Sequence, residues 1–122
     1  MRRWLLVMLL VACTKQGHGS ASRDDAIAAW KKGGLQPSAF TTVTVEFAKD
    51  CASGTVNNLD VLVCTYASDA EAKAAEDTAL KWVGDYTGAA KAQGPVLIAV
   101  ADRHKADPSG RTIHQVLTLP AK

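Results

Sequence analysis

The stretch Cys51-Ala-Ser-Gly-Thr-Val-Asn-Asn-Leu-Asp-Val-Leu-Val-Cys64 decides the fold. Asn57 and Asn58 separate two apolar-rich runs, and asparagine tolerates positive φ better than other non-glycine residues, so the pair suits a primed two-residue hairpin turn. With that turn, Val56 faces Leu59, Thr55 faces Asp60 and Cys51 faces Cys64. Val56 and Leu59 then form a hydrogen-bonded pair. The alternation outward makes Cys51 and Cys64 a non-hydrogen-bonded pair with Cα atoms about 4.5 Å apart, inside the range a disulfide spans. The competing arrangement is a hairpin of different register, with Gly54 marking a bulge or an earlier turn and the two thiols free and buried. A redox-active dithiol is the weaker reading, because such pairs sit at Cys-x-x-Cys spacing beside a helix start.

The periodicity changes in the same order on either side of this hairpin. Asp24 to Lys32 places Ala26, Ile27 and Trp30 on one helical face, with acids at its start, lysines at its end and Gly33-Gly34 as a stop. Phe40 to Lys49 alternates Val43, Val45 and Phe47 with Thr44 and Glu46, as a half-buried strand does. Leu59 to Tyr66 is apolar on both faces, the mark of a central strand. Ser68 and Glu71 then have capping-box spacing, and Asp69/Lys73 and Asp77/Lys81 pair at i,i+4. Ala72, Ala75, Ala79, Trp82, Val83 and Tyr86 make an apolar stripe, which predicts a helix to about Tyr86. Gly94-Pro95 opens a strand over Val96 to Ala101, and Asp107 to Gly110 supplies a turn before a last strand, Thr112 to Leu119. Helix-strand-strand, twice over, predicts an α+β two-layer sandwich: a four-stranded antiparallel sheet with two helices on it.

The chain begins with two arginines, Arg2 and Arg3, ahead of an apolar run, Trp4 to Ala12, and then Cys13. A transmembrane helix needs roughly 20 apolar residues and this run has nine; a short apolar run behind basic residues has the layout of a secretory signal. The tetrad Leu10-Val11-Ala12-Cys13 resembles the lipobox of bacterial lipoproteins. That resemblance implies that diacylglycerol is joined to the Cys13 thiol, that residues 1–12 are cleaved away, and that acyl chains such as palmitate anchor the chain in a lipid bilayer. A single chain holds only marginally, at about 0.8 kcal/mol per buried methylene; the three chains of the lipoprotein class would hold firmly. Thr14, where aspartate would signal inner-membrane retention in that class, points to the outer membrane of a two-membrane host. An ordinary secretory signal with a coincidental cysteine is the competing reading.

Three consequences follow for the rest of the chain. Residues 13–23 carry no large apolar side chain and read as a flexible tether, leaving 24–122 as one small domain. His18 within the tether reads as solvated. Export to the periplasm or cell surface puts Cys51 and Cys64 in an oxidising setting, where a disulfide forms and contributes about 3 kcal/mol. Loss of Arg2 and Arg3 leaves twelve basic against twelve acidic residues, so charge gives no argument for nucleic acid binding.

Catalytic chemistry is thin. Asp102, Arg103 and His104 are consecutive, Asp107 is near, and His114 lies across the expected second hairpin, so Asp102, His104 and His114 are weak candidates for a metal or acid/base site. No Gly-x-Ser-x-Gly, His-Glu-x-x-His, phosphate loop or Cys-x-x-Cys knuckle accompanies them, and neither a cofactor nor an enzymatic activity is expected. Trp30, Trp82 and Tyr86 could line a groove, but their helical spacing makes them core residues by default. The expectation is a non-enzymatic envelope lipoprotein that docks another protein or the cell wall, held near its partner by the anchor. A small-ligand binding module is the alternative, and a hydrolase around Asp102, His104 and His114 ranks last.

Overall fold

The computed structural model describes residues 18–121, and within them the order is α1 (His18–Lys32), β1 (Thr41–Val45), β2 (Ala48–Val56), β3 (Leu59–Thr65), α2 (Asp69–Ala74), α3 (Glu76–Val83), β4 (Gly88–Gln93), β5 (Val96–Ala101) and α4 (Arg111–Thr118), closed by a 3-10 turn over Leu119–Ala121. The strands form one antiparallel sheet in the order β1-β2-β3-β5-β4. The expected signal peptide, Cys13 and the first part of the tether lie outside the described residues. The α1 helix starts at His18 and so takes in the last six residues of the segment read as tether.

The β2–β3 hairpin has the register the asparagine turn dictates. Asn57 and Asn58 both hold positive φ, 51° and 70°, and Val56 pairs with Leu59, Thr55 with Asp60 and Cys51 with Cys64. Cys51 and Cys64 are disulfide-bonded, with Cα atoms 4.1 Å apart, and both are fully buried. The competing register with free thiols is thereby excluded.

The α+β class holds, but the sheet has five strands rather than four, the described residues form four helices rather than two, and helices cover both faces rather than one. Odd residues of β3 and even residues of β5 point to one face: Val61, Val63, Ile98 and Val100 pack there with Ala26 and Trp30 of α1 and Ile113 and Val116 of α4. The alternate residues, Leu62, Cys64, Leu97 and Ala99, pack on the other face against Ala79 and Val83 of α3. The expected last strand, Thr112 to Leu119, is α4: Ile113 and Val116, three apart, share one helical face, and Trp30 Nε1 donates to the Val116 carbonyl at 2.9 Å. The partner of β5 is instead β4, Gly-Ala-Ala-Lys-Ala-Gln. Gly88 is required there, because a Cβ would stand 1.9 Å from the Val100 carbonyl oxygen.

Two expected elements are interrupted. Phe40 to Lys49 is not one strand, since the chain reverses at Glu46-Phe47 and Val45 pairs with Ala48. The helix expected to Tyr86 breaks at Ala75 and stops at Val83, where Gly84 takes φ 69°. Ser68 caps it as anticipated, its hydroxyl accepting from the Glu71 N–H. Lys73 reaches Glu76 at 3.4 Å rather than Asp69. Glu76 has a second task, accepting the Ala92 N–H of edge strand β4 at 2.8 Å.

That N–H holds the Glu76 carboxyl below its ordinary value of 4.5, with Lys73 adding to the effect. A carboxyl depressed in the folded state adds stability above its unfolded pKa and loses it as pH falls through the folded pKa. Glu76→Gln is therefore expected to flatten the loss of urea stability with acidification below about pH 4.5; superimposable pH profiles would remove Glu76 from the acid response. Replacing both Cys51 and Cys64 by alanine is expected to cost about 3 kcal/mol in urea unfolding, less any penalty recovered by repacking. A loss under 1 kcal/mol, by order of magnitude, would mean the bridge adds little to the packing around it.

Candidate binding cleft and the Arg103 clamp

The β1–β2 turn carries no glycine or asparagine, so its side chains rather than its backbone shape the end of the sheet. Val45 and Phe47 are partly buried and pack toward the disulfide face, together with Tyr66 at the end of β3. Tyr66 is held from two sides: its N–H donates to the Pro95 carbonyl at 2.8 Å and its hydroxyl to the Phe47 carbonyl at 3.0 Å. Burial pushes the Tyr66 phenol above its usual range. Between this turn, Tyr66 and Glu71 of α2 lies an open cleft of about 780 Å³. Val45, Phe47, Ala48 and Tyr66 give it apolar lining, and Glu46, Lys49 and Glu71 add charges of both signs. Such a volume falls within the size of small-molecule sites, though the cleft is open rather than enclosed. Nothing in the sequence singled it out, because Phe40 to Lys49 reads as unbroken alternation.

The second constellation joins three elements through one side chain. Arg103, just after β5, donates from Nη1 to Asp60 Oδ2 of β3 at 3.0 Å and from Nη2 to the Trp82 carbonyl of α3 at 2.7 Å. Its guanidinium also lies 4.5 Å from the centre of the Trp82 ring and 5.5 Å from that of Tyr86. Cation–π contact of this kind adds about 0.5–1 kcal/mol at an exposed site. Trp30 is a core residue, fully buried. Trp82 is half-buried under Arg103, and Tyr86, 52% exposed, is not part of the core. The three aromatic residues therefore line no common groove.

The weak catalytic candidates are not brought together, because Arg111–Thr118 is a helix and not the second arm of a hairpin. Asp102 and Asp107 are buried; two backbone amides occupy Asp102, and one backbone amide and the Ser109 hydroxyl occupy Asp107. Asp102 accepts from the Ala106 and Asp107 N–H groups at 2.7 and 2.9 Å. Asp107 accepts from the Ile113 N–H at 2.8 Å, satisfying an amide in the first turn of α4. His104 is exposed in the loop after β5 and His114 is exposed on α4, with no second hairpin to bring them across from each other. Among the described residues, no group of three His, Cys, Asp or Glu side chains comes together as a metal would require. No described helix is long and apolar enough to cross a membrane. Neither protein-family models, nor curated proteins, nor solved structures contain a match to this chain.

Because Asp107 satisfies the buried Ile113 N–H, Asp107→Ala is expected to destabilise the domain by about 1–3 kcal/mol, the cost of leaving a buried donor unpaired. Hydrogen exchange should then rise first at Ile113 and along α4. Unchanged exchange there would show that α4 does not depend on this carboxylate.

Proposed function

We propose that this chain is a lipid-anchored envelope protein that works by binding another protein or the cell wall rather than by catalysis. The observation that carries the reading is the buried Cys51–Cys64 bridge. A disulfide in the centre of a small domain belongs to an oxidising compartment, which agrees with the lipobox-like Leu10-Val11-Ala12-Cys13 and its implied export. In this reading Cys13 serves for lipid and Cys51 and Cys64 for structure. Acyl chains on Cys13 confine the domain to a membrane surface, the outer membrane if the host has two and follows the rule in which Thr14 permits release from the inner one. Confinement raises the effective concentration of a partner, so a modest patch suffices. The backbone N–H groups that Asp102 and Asp107 accept give both carboxylates a structural role, which supports a reading without catalysis.

A second reading rests on the cleft beside Tyr66. Its volume of about 780 Å³ would take a small ligand with an apolar body and a polar group that can meet the charged walls. The two readings separate experimentally, because a ligand for the cleft raises the melting temperature of the purified protein, whereas a docking partner co-purifies from membranes.

The anchor is tested by fractionation. The unaltered protein is expected in the membrane pellet and the detergent phase, and Cys13→Ser in neither. Should Cys13→Ser still sediment with membranes, lipid on Cys13 is not what holds the protein there.

A further inference from the structure

The two edges of the sheet are treated differently. On β4, the pairing of Gln93 with Val96 turns the Ala92 N–H outward, and Glu76 accepts it. Lys91 adds a charge to the same strand, and both are devices that keep an edge from pairing with another chain. β1 has neither. Its five residues, Thr-Thr-Val-Thr-Val, carry no charge, glycine or proline, and the irregularity in its ladder with β2 lies where two β2 residues, Lys49 and Asp50, oppose Thr44, so β1 itself stays regular.

Register fixes which groups the β1 edge presents. Because Val56 and Leu59 are a hydrogen-bonded pair, Cys51, Ser53 and Thr55 turn their backbone groups away from β3 and toward β1. The Thr55 carbonyl accordingly accepts the Ser38 N–H at 2.7 Å. Thr41 and Val43, opposite Ser53 and Cys51, bond inward, and Thr42 and Thr44 turn their N–H and C=O groups off the sheet. The Thr42 and Thr44 side chains are exposed as well.

We infer that β1 pairs antiparallel with β1 of a second copy of this chain about a two-fold axis at Val43. In that register Thr42 faces Thr44 of the other copy and Thr44 faces Thr42, so the outward groups meet as two hydrogen-bonded pairs. Thr–Thr is a favourable cross-strand pair. Val43 meets its own symmetry mate on the disulfide face, extending the row Val43, Cys51, Cys64, Leu97 that already runs across β1, β2, β3 and β5. Charge allows the match: no charged residue lies within Thr41–Val45, and Glu46 falls opposite Phe40 rather than opposite another acid. The same patch serves both copies, as a two-fold interface requires. This inference goes beyond the anchoring proposal and does not depend on it.

The test is sedimentation of the full chain in mild detergent over a concentration series. The unaltered protein is expected as a dimer. Thr42→Lys/Thr44→Lys puts lysine opposite lysine and is expected to raise the dimer dissociation constant about tenfold or more. Thr42→Lys/Thr44→Glu puts lysine opposite glutamate and is expected to restore it. An intact Cys51–Cys64 bridge by mass shows that each variant has folded. For a variant lacking it, Thr42→Pro substitutes, since proline on an edge strand removes only an outward N–H, and a monomer is expected. A protein that is monomeric throughout, a dimer indifferent to the double lysine change, or a Lys/Glu variant as weak as the Lys/Lys one would each overturn the pairing.

Discussion

The structure depends on one pair of strands being dry on both faces. β3 and β5 lie side by side in the middle of the sheet, and every residue of β5 is buried. The odd residues of β3 and the even residues of β5 supply one core and their alternates supply the other. A slip of one residue between them would exchange the two sets and present each helix pair with the wrong side chains. The covering helices range from six residues in α2 to fifteen in α1, and each matches a stripe that the strands already fix. α1 and α4 are joined over their face by the Trp30 bond to Val116. On the other face the short α2 and α3 use alanines to come close.

How much of this could be read in advance depended on whether local chemistry or tertiary context decided each segment. Asn57 and Asn58 set φ locally, so the hairpin, its register and the opposition of Cys51 and Cys64 were legible to the residue. The position of β3 was legible too, since Leu59 to Cys64 is apolar on both faces. β4 was not: Gly-Ala-Ala-Lys-Ala-Gln has no β-branched or aromatic residue, and it is a strand only because Gly88 permits close approach to Val100 and the sheet has an edge free beside β5. Thr112 to Leu119 carries β-branched residues that suggest a strand, yet the spacing of Ile113 and Val116 fits a helix equally well, and the buried face decided between them. Missing one strand and misplacing another also hid the third layer, because a sheet with helices on both sides needs the additional elements.

The candidate site shows the same division. The cleft was hidden because its walls come from a turn, Glu46-Phe47, that lacks the usual turn residues, and from Tyr66 and Glu71, which the fold alone brings near it. Conversely, Asp102, His104 and His114 looked like a constellation only under a hairpin that does not form. Their proximity in sequence reflects a helix start: Asp107 accepts an amide of the first turn of α4, and Asp102 shapes the loop that delivers Asp107 to it. Acidic residues before a helix suit this role as well as they suit catalysis, and only the hydrogen-bond partners separate the two.

The bridge across β2 and β3 turns residues 51–64 into a covalent ring whose outermost point is Asn57-Asn58. Exposed turn tips are where proteases cut. A single cut at this one would leave two polypeptides still joined through sulfur and still laced together by the ladder from Cys51–Cys64 to Val56–Leu59. Scission at this exposed tip would thus sever nothing from the domain.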